Sequence, residues 1–287
     1  MGKVGIIGTV MVDQIMQARY KIGEGRCNKM NITTAFGGAM RNVAWNLGLL
    51  KHEVHFITKM GNDMAAIEAQ NDLEKNHVFV YPVSYNGPTP LFITAFDAEK
   101  ELMFSTITED YFIDKEDLFQ TVAINTCEYG ITDRDDPAFL RKLFDRTPNM
   151  KWILCKPVSS SQIIANAHGM IINRYEMMSI AKDQSLDVAA QNLIMKGLDW
   201  LVVTLDHEGA MFYDKKGAHY YPIEEKRVYS TLGCGDAFIS GFVHGLCEKK
   251  TLHQCMLLGL DASDIILSVP SATHEKLIEL LNVKHAG

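Results

Sequence analysis

Short apolar runs alternate with segments of helical periodicity along most of the chain, and this alternation restricts the fold more than any other feature. Val4 to Ile7 reads as a buried strand ending in Gly8. Residues 39 to 50 place Met40, Val43, Ala44, Leu47 and Leu50 at helical spacing, and Val54 to Thr58 is again strand-like. Further strands are expected at Ala123 to Asn125, Trp152 to Cys155, Met170 to Ile172 and Leu201 to Leu205. Helical patterns lie over 185 to 197 and 252 to 267. Such alternation argues for an α/β chain built on a mostly parallel sheet covered on both faces. A length of 287 residues suits one large domain spanning 1–287.

Two regions break the rhythm. Residues 14–36 are polar and contain Gly23 and Gly25. Residues 91–106 read as a hairpin, Leu91 to Phe96 and Leu102 to Thr106 around a charged turn. Antiparallel strands in a parallel α/β protein form an edge decoration or a separate small sheet, and here the two segments could fold over a site as a lid. Such lid strands could also pair across a homodimer.

Charge narrows the classes of partner. The net charge of -7, with no basic run, argues against a nucleic-acid polymer as ligand. The N-terminal apolar run is too short for a membrane span and lacks the features of a signal peptide. Six cysteines without a C-x-x-C pair argue against a zinc site and fit reduced thiols in a cytoplasmic protein.

The most informative stretch is Ser230-Thr231-Leu232-Gly233-Cys234-Gly235-Asp236-Ala237-Phe238. Gly233 and Gly235 let the backbone turn close to a ligand. The helix that follows offers unpaired N–H groups and a positive dipole end, which together suit an anion. A carboxylate at its mouth, Asp236, can take the proton of an attacking hydroxyl. The same pattern equally describes a turn with Asp as a helix N-cap. No G-x-x-x-x-G-K-[ST] is present, so this is not a P-loop. A second cluster, Gly37-Gly38-Ala39-Met40-Arg41-Asn42, puts Asn42 in the first turn of a helix. With the isolated Asp13 it suggests a site for a polyhydroxyl compound. A third, Asn173-Arg174-Tyr175-Glu176, offers oxygen ligands of the kind magnesium prefers, or a capping box.

In this order the three motifs resemble the ribokinase-like (PfkB) carbohydrate kinases, most specifically through Thr231-Leu232-Gly233-Cys234-Gly235-Asp236. The resemblance implies a Rossmann-type three-layer sandwich with a small β-sheet lid. It also implies an ATP-dependent kinase acting on a hydroxyl of a small sugar or nucleoside. By position it makes Asp236 the catalytic base and Gly233, Cys234 and Gly235 the anion hole. Asp13, Gly37, Gly38, Arg41 and Asn42 would bind the acceptor. Thr204, Asp206 and Gly209 would bind ATP, and Asn173 and Glu176 would organise magnesium. A monovalent cation is a further candidate cofactor.

Three residues depart from the family pattern. Cys234 replaces the usual Ala, a small change in a loop that works through its backbone. Asp206 puts a carboxylate where many members have Gly, near the expected nucleotide phosphates. Lys156, before Pro157, stands where many members have Asp. Arg41 before Asn42, and the segment Lys156-Pro157-Val158-Ser159, resemble the pseudouridine kinase subgroup. That resemblance favours pseudouridine as acceptor over ribose, fructose and ordinary nucleosides. A non-catalytic sugar or nucleotide sensor of the same fold is the more distant alternative, and an intact Asp236 speaks against it.

Overall fold

The structure is a computed structural model and describes residues 2–182, 184–224, 228–283 and 285. Its first third contains β1 (Lys3–Ile7), β2 (Met11–Ala18), β3 (Met30–Gly37), α1 (Ala39–Leu49), β4 (Glu53–Met60), α2 (Met64–Lys75) and β5 (Val78–Ser84). Next come β6 (Leu91–Phe96), β7 (Glu101–Ser105), β8 (Tyr129–Thr132), α3 (Pro137–Arg146), β9 (Lys151–Leu154) and α4 (Ser161–Ile164). The remainder is β10 (Gly169–Asn173), α5 (Arg174–Ala181), α6 (Leu186–Met195), β11 (Trp200–Thr204), β12 (Gly209–Asp214), β13 (Gly217–Pro222), α7 (Cys234–Cys247) and α8 (Leu252–Leu267).

Nine strands form one sheet in the order β13-β12-β11-β10-β9-β8-β1-β4-β5. It is parallel from β11 to β5, while β12 pairs antiparallel with both β11 and β13. Alternate strand residues serve opposite cores: Ile6 and Val202 pack on one face, Ile7, Leu201 and Val203 on the other. This two-sided burial explains why the strands read as continuous apolar runs. The chain fills β1, β4 and β5 in one direction, then returns to lay β8 on the other side of β1. The crevice beyond the carboxyl ends of β1 and β8 is therefore the switch point of the sheet, where open α/β folds bind ligands.

The strand expected at Ala123 to Asn125 is not formed. Residues Asp117–Ala123 make a 3-10 helix closed by Ile124 N–H donating to Thr121 O. The strand lies instead at β8, whose Gly130 leaves room for the Trp152 ring: a Cβ there would sit 2.6 Å from it. A four-residue strand with a central Gly carries a weak apolar signal.

The two segments that break the rhythm come together in a second, four-stranded sheet of order β3-β2-β6-β7. β2 and β3 pair antiparallel, as do β6 and β7, while β2 and β6 are parallel. The polar stretch after residue 14 is thus mostly strand, and β2 begins early enough to carry Asp13. All of β7 is exposed, with Leu102, Met103 and Phe104 in water.

Two buried glycines join the small sheet to α1. A Cβ on Gly37 would fall 2.0 Å from Asp13 Oδ2, and one on Gly38 would fall 2.4 Å from Thr9 O. Gly38 also has φ 103, which L side chains rarely adopt. The Gly pair is therefore needed to pass the chain between Asp13 and Thr9 into α1. Gly38→Ala should lose about 1–3 kcal/mol from backbone conformation alone, and more from the displaced Thr9 carbonyl. Urea denaturation of the variant checks this, and an unchanged midpoint would contradict the close approach.

Candidate active site

Asp236 occupies the first turn of α7, the helix that starts at Gly233 in the left-handed conformation, φ 77. Gly233 is the N-cap residue, and no side chain caps the helix. Asp236 is therefore not an N-cap. Its Oδ2 accepts from Asn42 Nδ2 at 2.8 Å, across the contact between α1 and α7. At the helix start, Cys234 N–H donates to Thr231 O and Ala237 N–H to Gly233 O. Among the described residues the N–H groups of Gly235 and Asp236 have no acceptor in the chain. Among the described residues, a Cβ on Gly235 would meet no atom within 4 Å outside its own stretch of helix. Unlike Gly37 and Gly38, this glycine has no close neighbour among the described residues that would exclude a side chain. It borders open space in front of two free donors, the arrangement of an anion site at a helix N-terminus.

α1 is buried over nearly its whole circumference, with Arg41 and Asn42 only 2% and 4% exposed. Arg41 forms an ion pair with Asp72 of α2, donates from Nη1 to Asn42 Oδ1 at 3.1 Å, and reaches Thr273 Oγ1 at 3.5 Å. A guanidinium can only donate, so Asn42 must turn its oxygen to Arg41 and its NH₂ to Asp236. The chain Asp72–Arg41–Asn42–Asp236 thus ties three helices together and fixes one carboxylate oxygen of Asp236. Arg41 is committed to protein partners, which removes the geometric basis for its reaching an acceptor's carbonyl groups.

Three carboxylates converge electrostatically here. Burial pushes the Asp236 carboxyl up to about 7, helped by Asp133 and Asp13 and opposed by the Asn42 hydrogen bond and Lys156. Asp13 is raised to about 6 by burial, against the pull of Arg41. Asp133 is raised to about 6 by burial, against Lys156 and Arg134. Its buried Oδ1 has no hydrogen-bond partner. Asp133 follows β8 at the switch point, 3.2 Å from where a Cβ on Gly8 would lie. The sequence reading missed it because it placed the strand six residues too early, so the acid did not register as lying at a strand end. The Cys234 thiol, raised to about 11 by burial, stays protonated and is no nucleophile at neutral pH.

The remaining expected residues line the neighbouring strand ends. Asn173, at the end of β10, pairs in register with Thr204, at the end of β11. Asn173 Oδ1 accepts from Glu176 N–H at 2.8 Å and Glu176 Oε2 accepts from Asn173 N–H at 3.0 Å, a closed capping box. Glu176 Oε1 takes Lys156 Nζ at 2.6 Å. Each Glu176 oxygen thus already holds one donor, and an ammonium faces Oε1 where a metal would otherwise approach. Among the described residues no group of three or more His, Cys, Asp or Glu could hold one. Asp206 is exposed, with φ 54, in a short 3-10 turn after β11. Gly209 has φ 112, and its Cβ would meet Tyr221 O at 2.0 Å, so it serves the β12–β13 pairing.

The sequence profile of the pfkB family carbohydrate kinases matches residues 1–278. The chain belongs to that family. This pfkB kinase is a phosphotransferase with an alcohol acceptor. It is 25% identical over 98% of its length to the whole of a guanosine-inosine kinase of Exiguobacterium acetylicum. It is 22% identical to a deoxyribokinase of Salmonella typhi, over 88% of each chain. A solved ribokinase of Thermotoga maritima superposes with a TM-score of 0.81 at 18% identity, covering 99% of this chain and 100% of its own.

Two outcomes test the site of the pfkB kinase. Gly235→Ala should fold at least as stably as the parent, since Ala is favoured in a helix by up to about 1 kcal/mol. It should nonetheless lose roughly tenfold or more in turnover if the open space belongs to a transferring anion. Equal turnover would detach Gly235 from the site. The second concerns Asp236, whose carboxyl titrates near 7 in the fold and at an ordinary 3.8 when unfolded. A raised carboxyl destabilises the fold progressively as pH climbs from the lower value to the higher. Asp236→Asn removes that cost. Its melting temperature should match the parent's in acid and exceed it at about pH 8, by the equivalent of about 2–4 kcal/mol.

Proposed function

We propose that this pfkB kinase transfers the γ-phosphoryl group of ATP to the 5′-hydroxyl of a ribonucleoside, with Asp236 as the base. The observation that carries the reading is the meeting of Asp236 with the two free N–H groups at the start of α7. In this reading Asp236 receives the proton of the attacking hydroxyl, and the N–H groups of Gly235 and Asp236 receive the charge that develops on the phosphoryl oxygens. Asn42 holds the carboxylate so that its free oxygen faces the acceptor. Asp13, brought in on the small sheet, is placed to accept hydrogen bonds from ribose hydroxyls. Thr204 and Asp206, at the end of β11, lie on the side from which ATP would enter. The small sheet acts as a lid that excludes water from the reacting groups. Its exposed Ile32, Leu102, Met103 and Phe104 support a homodimer through that sheet.

A nucleoside acceptor is supported by the full-length likeness to the guanosine-inosine kinase. Within nucleosides, pseudouridine was favoured by sequence through Arg41, but a buried Arg41 cannot select a base by contact. A purine ribonucleoside therefore leads, with pseudouridine second on the resemblance around Arg41 and Lys156. The reading also puts the protein in the cytoplasm, where ATP is available. Six unpaired cysteines agree with a reducing compartment. No helix among the described residues is long and apolar enough to cross a membrane.

The test is ADP release with ATP and a panel of guanosine, inosine, pseudouridine, ribose, deoxyribose and fructose. A purine nucleoside should give the highest kcat/KM. A free sugar turned over faster than every nucleoside would overturn the acceptor and leave the kinase standing. Asp236→Asn should keep nucleotide binding and lose about two to four orders of magnitude in kcat. For the parent, kcat/KM should fall on the acid side of about pH 7, as the base becomes protonated. A profile flat from pH 5 to pH 8 would sink the assignment of Asp236.

A further inference from the structure

A site that admits the phosphates of ATP among three carboxylates needs positive charge, and its arginines are already committed. Arg41 is paired with Asp72. Arg134 stacks on the rings of Phe112 and Phe139, 4.8 and 5.5 Å from their centres. Arg174 pairs with Glu208 at 2.6 Å. Lys156 is different. It stands just past the end of β9, between β8, which delivers Asp133, and β10, which delivers Asn173. Cys155 N–H donates to Thr132 O at 2.8 Å, which keeps Lys156 level with Asp133 across the strand ends. Its ammonium rests on Glu176 Oε1 at 2.6 Å, while 46% of the Lys156 side chain remains open to solvent, against 20% for Glu176. It attracts Asp133 and Asp236 as well as Glu176. Burial opposes its charge, but Glu176, Asp133 and Asp135 together raise the ammonium above its ordinary value. It is cationic at every pH where the enzyme would work.

Glu176 meanwhile accepts from Asn173 N–H on one oxygen and from Lys156 on the other. The carboxylate expected to organise a divalent ion instead holds an ammonium.

We propose that Lys156 is a phosphate-binding residue of this kinase, held on Glu176 and moving from it to the phosphates of the nucleotide delivered at the start of α7. The exchange is one of ion-pair partners, with no bond made or broken. A flexible four-carbon stem with half its surface free permits the swing, and a compact ammonium suits a phosphate as a point charge. The consequence is that part of the charge neutralisation a divalent ion would supply is built into the chain. Nucleotide binding should therefore depend on magnesium less than a carboxylate-lined site would.

The proposal rests on the kinase reading, and binding measurements separate the two. Calorimetric titration with ADP, in EDTA and in excess magnesium, compares the parent with Lys156→Met, Lys156→Arg and Glu176→Gln. In EDTA, Lys156→Met should weaken ADP binding about tenfold or more, the loss of one charge-assisted contact. Lys156→Arg should recover most of it. Glu176→Gln, which releases the ammonium, should bind ADP in EDTA at least as tightly as the parent. An unchanged affinity for Lys156→Met in EDTA would overturn the proposal. So would a Glu176→Gln variant weakened only in magnesium, since that is the signature of a metal carrier. Should Lys156→Met fold poorly, acetylation of Lys156 in the parent decides: ADP in EDTA must protect it. A parent that binds neither ADP nor ATP under either condition would defeat the kinase reading itself.

Discussion

Three carboxylates, one buried and two half-buried, gathered near the carboxyl end of one sheet set the terms for everything around them. An isolated buried charge is too costly to keep, so each must be neutralised, paired or left partly protonated. Asp236 is steadied by Asn42, Asp13 is drawn down by Arg41, and Asp133 faces Lys156 with one oxygen unpartnered. The buried polar chain through α1 exists to hold the first of these. Because Arg41 can only donate, one ion pair with Asp72 at the protein's flank dictates which way an amide turns at its centre. The Asp236 carboxylate is thereby oriented from two helices away.

The same frustration gives the site its chemistry. A carboxylate left in water would titrate far below neutral pH and be a weak base. Burial above all, helped by the like charges of Asp133 and Asp13, lifts the Asp236 carboxyl to about 7. The large sheet carries a packed core on each of its faces beside this site.

Much of this was legible in the sequence. The parallel sheet showed itself because strands buried on both faces read as unbroken apolar runs, and α7 because glycines and an acid precede a strongly apolar helix. What stayed hidden was what depends on contacts between distant residues. β8 was missed because four residues with a central Gly carry little pattern, and with it went Asp133. Arg41 and Asn42 were visible as residues of a helix start. Their burial was not, because nothing local tells a polar side chain pointing inward from one pointing out. The Asn173–Glu176 spacing was ambiguous between capping and metal binding. The two side chains close a capping box, and Lys156, twenty residues earlier, takes the other Glu176 oxygen. Gly37 and Gly38 looked like ligand-binding glycines, yet their neighbours are Asp13 and Thr9.

The glycines of this site are kept by two different authorities. Gly37 and Gly38 answer to the protein's own atoms, whereas Gly235 answers to none among the described residues. Their histories in a lineage that abandoned catalysis should therefore part company. A descendant that kept the fold as a binding protein would still be held to the first two, and would drift freely at the third. Residue 235 is in that sense a record of whether the chain still handles an anion, written where stability has no say.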